Sequence, residues 1–313
     1  MPTPQDRPRP FFVVLNRHSG SGDADATEQA IHAELDAASC PYRLYCVRHP
    51  RELGTLAAQA VAAAQAHGGA VVVAGGDGTI NAVVQAVLPS GLPLGVLPQG
   101  TFNFFGRCHG LPEGDVGAGV RGLLDAREVR VQVGMVNERV FLVNASLGLY
   151  PELLERRELD KRRFGRHRLV ALLSGLRALL GDYPDLHLSL REDGQAQLRR
   201  STTLVVGNNR LQLADLGIAE AQAVERGLLV GIVLPPLARW RMILAAVRGL
   251  SGHLGDVDKV DSFAFTALEA TLPHRRHIKL AIDGEITRLP LPLRFRPAQQ
   301  PLRLLVPNRR GAA

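Results

Sequence analysis

Three short apolar runs in the first hundred residues each end on a polar loop that contains glycine and then pass into a helical pattern. FFVVLN (Phe11–Asn16) leads into NRHSG, AVVVAG (Ala70–Gly75) into GDGT, and LPLGVLP (Leu92–Pro98) into QGTFN. Around them lie a further strand pattern, YRLYCV, and the helical stretches TEQAIHAELDAA, ELGTLAAQAVAAAQAH and TINAVVQAVL. Strand and helix in alternation predict a parallel sheet with helices on both faces, and such sheets bind ligands beyond the carboxyl ends of their strands. The three glycine loops are therefore expected to converge on one crevice that takes a nucleotide's phosphate tail.

From about Arg130 the pattern changes. VRVQVGMVN, RVFLVNASLGL, DLHLSL, TTLVVGNN, LLVGIVL, SFAFTAL, IKLAIDGE and LRFRP alternate at period two between turn residues, which predicts an antiparallel β-sandwich. Two helical patterns interrupt it, PELLERRELDKRRFGRHRLVALLSGLRALL and LARWRMILAAVRGLSG. A chain of 313 residues exceeds what one hydrophobic core usually holds, so two closely packed domains with the site between them are expected, the first ending near residue 130.

The three cysteines, Cys40, Cys46 and Cys108, have neither disulfide-framework nor metal-like spacing, which points to a reducing compartment. The start MPTPQDRPRP lacks a signal-type apolar segment, and no stretch approaches the roughly 20 apolar residues of a membrane span, so a soluble protein is expected. A formal charge of +7 favours an anionic partner. Much of the excess is local: the run Glu155–Arg168 holds seven Arg or Lys against three acids. It reads either as a solvated helix face with internal ion pairs or as a patch for anionic lipid headgroups. Its basic residues do not alternate with aromatics as a stacking platform would require, so nucleic acid is not expected.

Gly75, Gly76 and Gly78 stand where a strand hands over to a helix, and bare backbone there lets peptide N–H groups approach a phosphate. Asp77 in their midst is chemically specific, because a carboxylate near phosphate has a use only if it binds metal or water or accepts a proton. Gly100 opens the next loop in the same way, with Thr101 and Asn103 as neutral hydrogen-bonding partners. Late in the chain, AIDGE places Asp283 and Glu285 in a turn, either an ordinary Asp-Gly hairpin or a candidate base for an attacking hydroxyl.

In this order, NRHSG, the Gly-Gly-Asp-Gly-Thr loop, PQGTFNFFGR and the late Asp-Gly-Glu resemble the diacylglycerol kinase catalytic family, which includes soluble bacterial lipid kinases and the related sphingosine kinases. VNASLGLYPELL, FGRHR, VVGNN and VERGLLVGIVLP extend the likeness over nearly the whole chain. The resemblance implies a nucleotide-binding α/β domain over residues 1–130, a β-sandwich lipid domain over 131–294, and a segment 295–313 that returns to the first domain. It implies nucleotide contacts at Asn16, Ser19 and Gly20, at Gly76, Asp77, Gly78, Thr79, Ile80 and Asn81, and at Thr101. Glu285 is the implied proton acceptor and Asp77 the second choice, with Asp77 otherwise positioning Mg²⁺ and phosphate. ATP, Mg²⁺, a diacylglycerol-like lipid, a peripheral place at an anionic membrane in the cytoplasm and phospholipid metabolism follow from the same likeness, which also allows a homodimer.

Two motifs depart from the family. Phe102 and Phe104 replace a Gly and an Asp of its Gly-Thr-Gly-Asn-Asp-Phe pattern, and Arg226 stands where many relatives use an Asp for a structural Mg²⁺. An NAD kinase, which shares the Asp77 loop, and a non-catalytic nucleotide or lipid sensor are the rival readings.

Overall fold

The computed structural model describes residues 8–19, 24–149, 151–152, 154–155, 186–192, 194–234 and 260–308. Gly20, the basic run from Arg156 to Arg168 and almost all of both long helical patterns of the second half lie outside the described residues. The chain divides into two compact units, one of residues 1–133 with 299–313 and one of residues 134–298.

In the first unit, strands β1 (Phe11–Asn16), β2 (Tyr42–Val47), β3 (Ala70–Gly75) and β4 (Pro93–Pro98) are all parallel, in the spatial order β2-β1-β3-β4. Every residue of β3 and β4 is buried. Such strands are covered on both faces, which is why they read as unbroken apolar runs. Helices α1 (Ala24–Ala37) and α5 (Val116–Leu124) share a core with one face through Ile31, Leu35, Val120 and Leu123. α2 (Leu53–His67) packs on α3 (Asp77–Val87), with Ala57, Ala60, Ala64, Val83 and Val84 buried. Helix α4 (Phe104–Cys108) is short and follows β4.

The sheet is completed from the far end of the sequence. β18 (Leu302–Pro307) lies between β4 and β5 (Ala126–Val131), parallel to the former and antiparallel to the latter. Leu302, Leu304 and Leu305 are buried there, and residues 299–313 group with the first unit.

The second unit stacks two antiparallel six-stranded sheets. One has the order β10-β9-β14-β17-β6-β7: β6 (Gly134–Val136), β7 (Arg139–Phe141), β9 (Leu186–Glu192), β10 (Gln195–Ser201), β14 (Leu268–Thr271) and β17 (Leu293–Pro297). The other runs β13-β12-β11-β8-β15-β16: β8 (Asn144–Gly148), β11 (Thr203–Gly207), β12 (Leu229–Leu234), β13 (Asp261–Phe265), β15 (His277–Ile282) and β16 (Glu285–Pro290). Leu188, Leu190, Leu293 and Phe295 of the first meet Leu147, Leu204, Leu280 and Ile282 of the second in one core. β17 pairs with β14 and β6, so its last residues, 295–297, belong to the sandwich rather than to the returning segment. A short helix α6 (Arg210–Asp215) and a 3-10 helix (Ala219–Arg226) cover the β12 side of the second sheet's outer face through Leu213, Ile218, Ala221 and Ala223.

Candidate active site

The three glycine loops meet. β1, β3 and β4 point the same way, with Leu15 beside Ala74 and Gly75 beside Pro98, so their loops leave one edge of the sheet together. Asn16 Nδ2 donates to Thr79 Oγ1 at 2.7 Å, Asn16 Oδ1 accepts from the His18 amide at 3.1 Å, and Ser19 Oγ lies 3.3 Å from Thr79 Oγ1. The first loop is thereby tied to the first turn of α3. Gly76 caps that helix in an extended conformation, and no side chain takes the cap position. The leading amides of α3 thus keep the partial positive charge of a helix start, the ordinary receptor for a phosphate.

The second and third loops touch backbone to backbone. A Cβ on Gly100 would stand 2.9 Å from both Gly76 Cα and Asn103 Oδ1, and one on Gly76 would stand 3.2 Å from Gly100 Cα. Asn103, only 6 % exposed, adopts φ 46°, ψ 40°, and its Oδ1 accepts from the Gly100 amide at 2.7 Å. Asp77 then joins α3 to α4: its two carboxylate oxygens each accept at 3.3 Å, from the amides of Phe104 and Phe105. Gly100→Ala is accordingly expected to force the two backbones apart and to weaken at least tenfold the binding of the ATP that the resemblance implies. Gly54→Ala, in open space on α2, serves as the neutral control. Calorimetric titration reads both, and equal ATP affinities in the two variants would refute the close approach.

A cavity of about 280 Å³ opens beside this junction, lined in part by Ser19, Thr27, Gln99, Gly100, Asn103 and Asp115. Gln99 Nε2 is buried without a hydrogen-bond partner, a donor that an acceptor on a ligand would satisfy. Neither Gln99 nor Thr27 stood out in the sequence, although Gln99 directly precedes Gly100 in the loop. Ile80 holds the second loop from beneath. Its side chain is fully buried and its amide donates to Gly76 O at 2.9 Å, so it anchors the loop to the core. Gly78 and Asn81 lie on α3, and Thr101 is exposed in the third loop.

The aromatics of that loop divide in two. Phe105 is buried, with the His109 ring edge-on at 4.7 Å, whereas Phe102 is 59 % exposed and stacked on Phe104 at 5.6 Å. Burial pushes the His109 pKa down to about 4. A histidine held neutral in the fold but free to protonate when unfolded costs stability as pH falls from about 6.5 to 4. Urea unfolding at pH 7 and pH 4.5 should show about 2 kcal/mol of loss from this source, absent in His109→Gln. An equal loss in both proteins would remove His109 as its origin.

Among the described residues of the three loops, Asp77 supplies the carboxylate, with Asn16, Ser19 and Thr79 as neutral oxygen donors. Mg²⁺ is commonly held by one or two carboxylates together with substrate phosphates. This donor set fits a metal ion carried on a nucleotide. Among the described residues no group of three or more His, Cys, Asp or Glu is arranged as a protein cage, and Arg226 is exposed at the end of its 3-10 helix.

In the second unit, Asp283 and Gly284 form the two-residue turn between β15 and β16, with φ 47° and 86°, the two positive values that a type I′ hairpin requires. Asp283 has a structural task of its own: its carboxylate accepts from the amides of Leu142 at 2.7 Å, Val143 at 2.8 Å and Asn144 at 3.0 Å. Glu285, next along, is exposed. Of the two acids in the turn, one is bound into the scaffold and the other is presented to solvent.

Residues 10–136 match the diacylglycerol kinase catalytic domain. A diacylglycerol kinase of Staphylococcus carnosus (strain TM300) is 39 % identical over 85 residues, 26 % of this chain and 28 % of that protein. The chain thus matches little more than a quarter of the length of that relative. A YegS-like lipid kinase of Klebsiella pneumoniae (strain 342) is 25 % identical over 217 residues, 69 % of this chain and 70 % of that protein. The crystal structure of a diacylglycerol kinase from Bacillus anthracis str. Sterne superposes with a TM-score of 0.70 at 17 % identity, covering 97 % of this chain and 98 % of that one, which shows a shared fold. The resemblance carried by the loop residues is therefore borne out: over residues 10–136 the chain matches the diacylglycerol kinase catalytic family, on a fold shared with diacylglycerol kinases along nearly its whole length.

Proposed function

We propose that this chain is an ATP-dependent lipid kinase that phosphorylates the hydroxyl of a diacylglycerol-like lipid. The observation that carries the reading is the joining of three loops around the uncapped start of α3, through Asn16, Ser19 and Thr79, through Gly76 against Gly100, and through Asp77 to α4. Those loops would cradle the phosphates with backbone amides, and Gly75, Gly76, Gly78 and Gly100 would keep them bare. Mg²⁺ on the nucleotide, when bound, would neutralise phosphate charge, with Asp77 as the carboxylate that orients it.

Phosphoryl transfer asks little of a protein beyond positioning and charge stabilisation. The lipid hydroxyl oxygen bonds to the γ-phosphorus, the bond to the β,γ-bridging oxygen breaks, and the hydroxyl proton passes to Glu285. Asp283, by holding the 142–144 amides, fixes the turn from which Glu285 projects. It is a positioning residue in this reading. The basic run Arg156–Arg168, known only as sequence, is assigned to anionic headgroups at a membrane surface. Among the described residues no helix is long and apolar enough to cross a membrane.

The deciding experiment incubates the protein with radiolabelled ATP and a total lipid extract, with NAD in a parallel reaction, and identifies labelled product by mass spectrometry. Label in a lipid phosphate supports the reading. Label in NADP overturns it in favour of an NAD kinase, and ATP binding without transfer to either favours a sensor.

A further inference from the structure

Within the second unit, one polar group is left over. Ser146 is fully buried in β8, and its Oγ has no hydrogen-bond partner. The strand register explains why the sheet does not satisfy it. Leu147 and Ala145 point into the sandwich core, which puts Ser146 on the opposite, outer face of its sheet. Its lateral neighbours there are Val205 on β11 and Ala281 on β15, and neither side chain carries a polar atom. The row continues to Ile232 on one side and Ile286 on the other. Along its own strand, Asn144 donates its Nδ2 to Gln212 Oε1 at 2.8 Å, and Gly148 has no side chain. Ile232 lies under α6 and the 3-10 helix, whereas Ile286 is 39 % exposed.

A buried hydroxyl without a partner is costly and calls for an explanation. Here it is a single donor centred in an aliphatic row whose last member, Ile286, is partly exposed. A diacylglycerol carries its ester carbonyls between the polar hydroxyl and the acyl chains, so it offers an acceptor flanked by hydrocarbon. We propose that Ser146 donates a hydrogen bond to an acyl ester carbonyl of the lipid acceptor, with Val205, Ala281 and Ile286 against the adjoining chain, and so selects ester-linked over ether-linked lipids. This rests on the lipid-kinase reading above and adds a specificity residue to it.

The test compares 1,2-dioctanoylglycerol with 1,2-dioctylglycerol, its ether analogue, by calorimetric titration and by steady-state phosphorylation. Ser146→Ala is expected to weaken the ester lipid about tenfold and the ether lipid less than twofold, with KM for ATP unchanged. Ser146→Cys, close in size and a weaker donor, should fall between wild type and Ala on the ester lipid alone. Equal losses on both lipids would mean that the hydroxyl meets only ordered water, and no loss on either would make it a tolerated orphan. Each result overturns the contact, while phosphorylation of either lipid by the wild type leaves the kinase reading standing. Failure of the wild type to bind dioctanoylglycerol overturns the contact as well, and failure to phosphorylate any lipid of a total extract overturns the kinase reading itself.

Discussion

Replacing Glu285 by Gln is expected to lower kcat by about 100-fold or more while leaving the affinity for ATP unchanged. That is the expectation for a general base, because the amide keeps size and hydrogen-bonding capacity but cannot take the proton. The turn does not depend on this side chain. Glu285 pairs with Ile282 at the mouth of a type I′ turn, and the turn is held by the Asp283 carboxylate on the three amides from Leu142 to Asn144 and by the Asp283 amide on Asn144 O at 2.9 Å. Exchange at position 285 therefore leaves the scaffold as it is. Asp283→Asn should differ in kind, since it deprives at least one of those amides of its acceptor and lowers stability as well as rate. A metal-binding role for Glu285 makes the opposite prediction for the Gln variant: weaker binding of ATP with Mg²⁺, and a rate partly restored by extra Mg²⁺. Steady-state rates on a phosphorylated lipid, together with calorimetric ATP titrations at two Mg²⁺ concentrations, separate the two, because one effect lies in kcat and the other in binding. Full activity in Glu285→Gln would pass the base role to Asp77.

The first unit was legible because its strands are buried on both faces. FFVVL, AVVVAG and PLGVLP cannot be mistaken for surface, and the glycines that follow them mark where backbone must come close to backbone. What periodicity could not show is the origin of the strand beside β4. β18 is contributed from about two hundred residues further along, and pairing at that separation leaves no local trace. The resemblance, not the pattern, carried that expectation. In the second unit the central strands were readable by alternation, but β10 was not: QAQLRRS sits at a sheet edge, almost wholly exposed, and has no apolar face to betray it. β14 is four residues long, and β16 follows a two-residue turn.

The site divides along the same line. Residue types announced the loops, but the division of labour between Asp283 and Glu285, the anchoring role of Ile80, and the orphan donors on Gln99 and Ser146 depend on where side chains point after folding. No spacing rule encodes that. Phe102 and Phe104 illustrate the reverse case. Their presence was plain in the sequence, while the stack that leaves Phe102 exposed beside the third loop appears only in three dimensions.

Asp77→Asn is expected to cost about a hundred- to a thousandfold in turnover, the size of loss found when one preorganised electrostatic group of an active site is removed. The structure gives this residue two tasks, which the experiment must separate. Its carboxylate ties α3 to the Phe104 and Phe105 amides, and it is an acid placed among the glycine loops to which the proposed function assigns the phosphates. If only the tie mattered, the Asn side chain, with one oxygen for two amides, would loosen α4, and ATP binding with and without Mg²⁺ would weaken together, accompanied by a lower melting temperature. If the charge acts on the nucleotide, the two affinities move apart. Metal-free ATP is repelled by a carboxylate, so its binding should hold or tighten in the Asn variant, whereas the gain that Mg²⁺ confers on the wild type should largely disappear. Titrating ATP against both proteins in EDTA and in Mg²⁺ yields four affinities, and their double difference isolates the charge from the tie because loop loosening enters each metal state equally. A double difference near zero would reduce the acid among the glycines to a strut between two helices and leave the handling of phosphate charge to the loop amides alone.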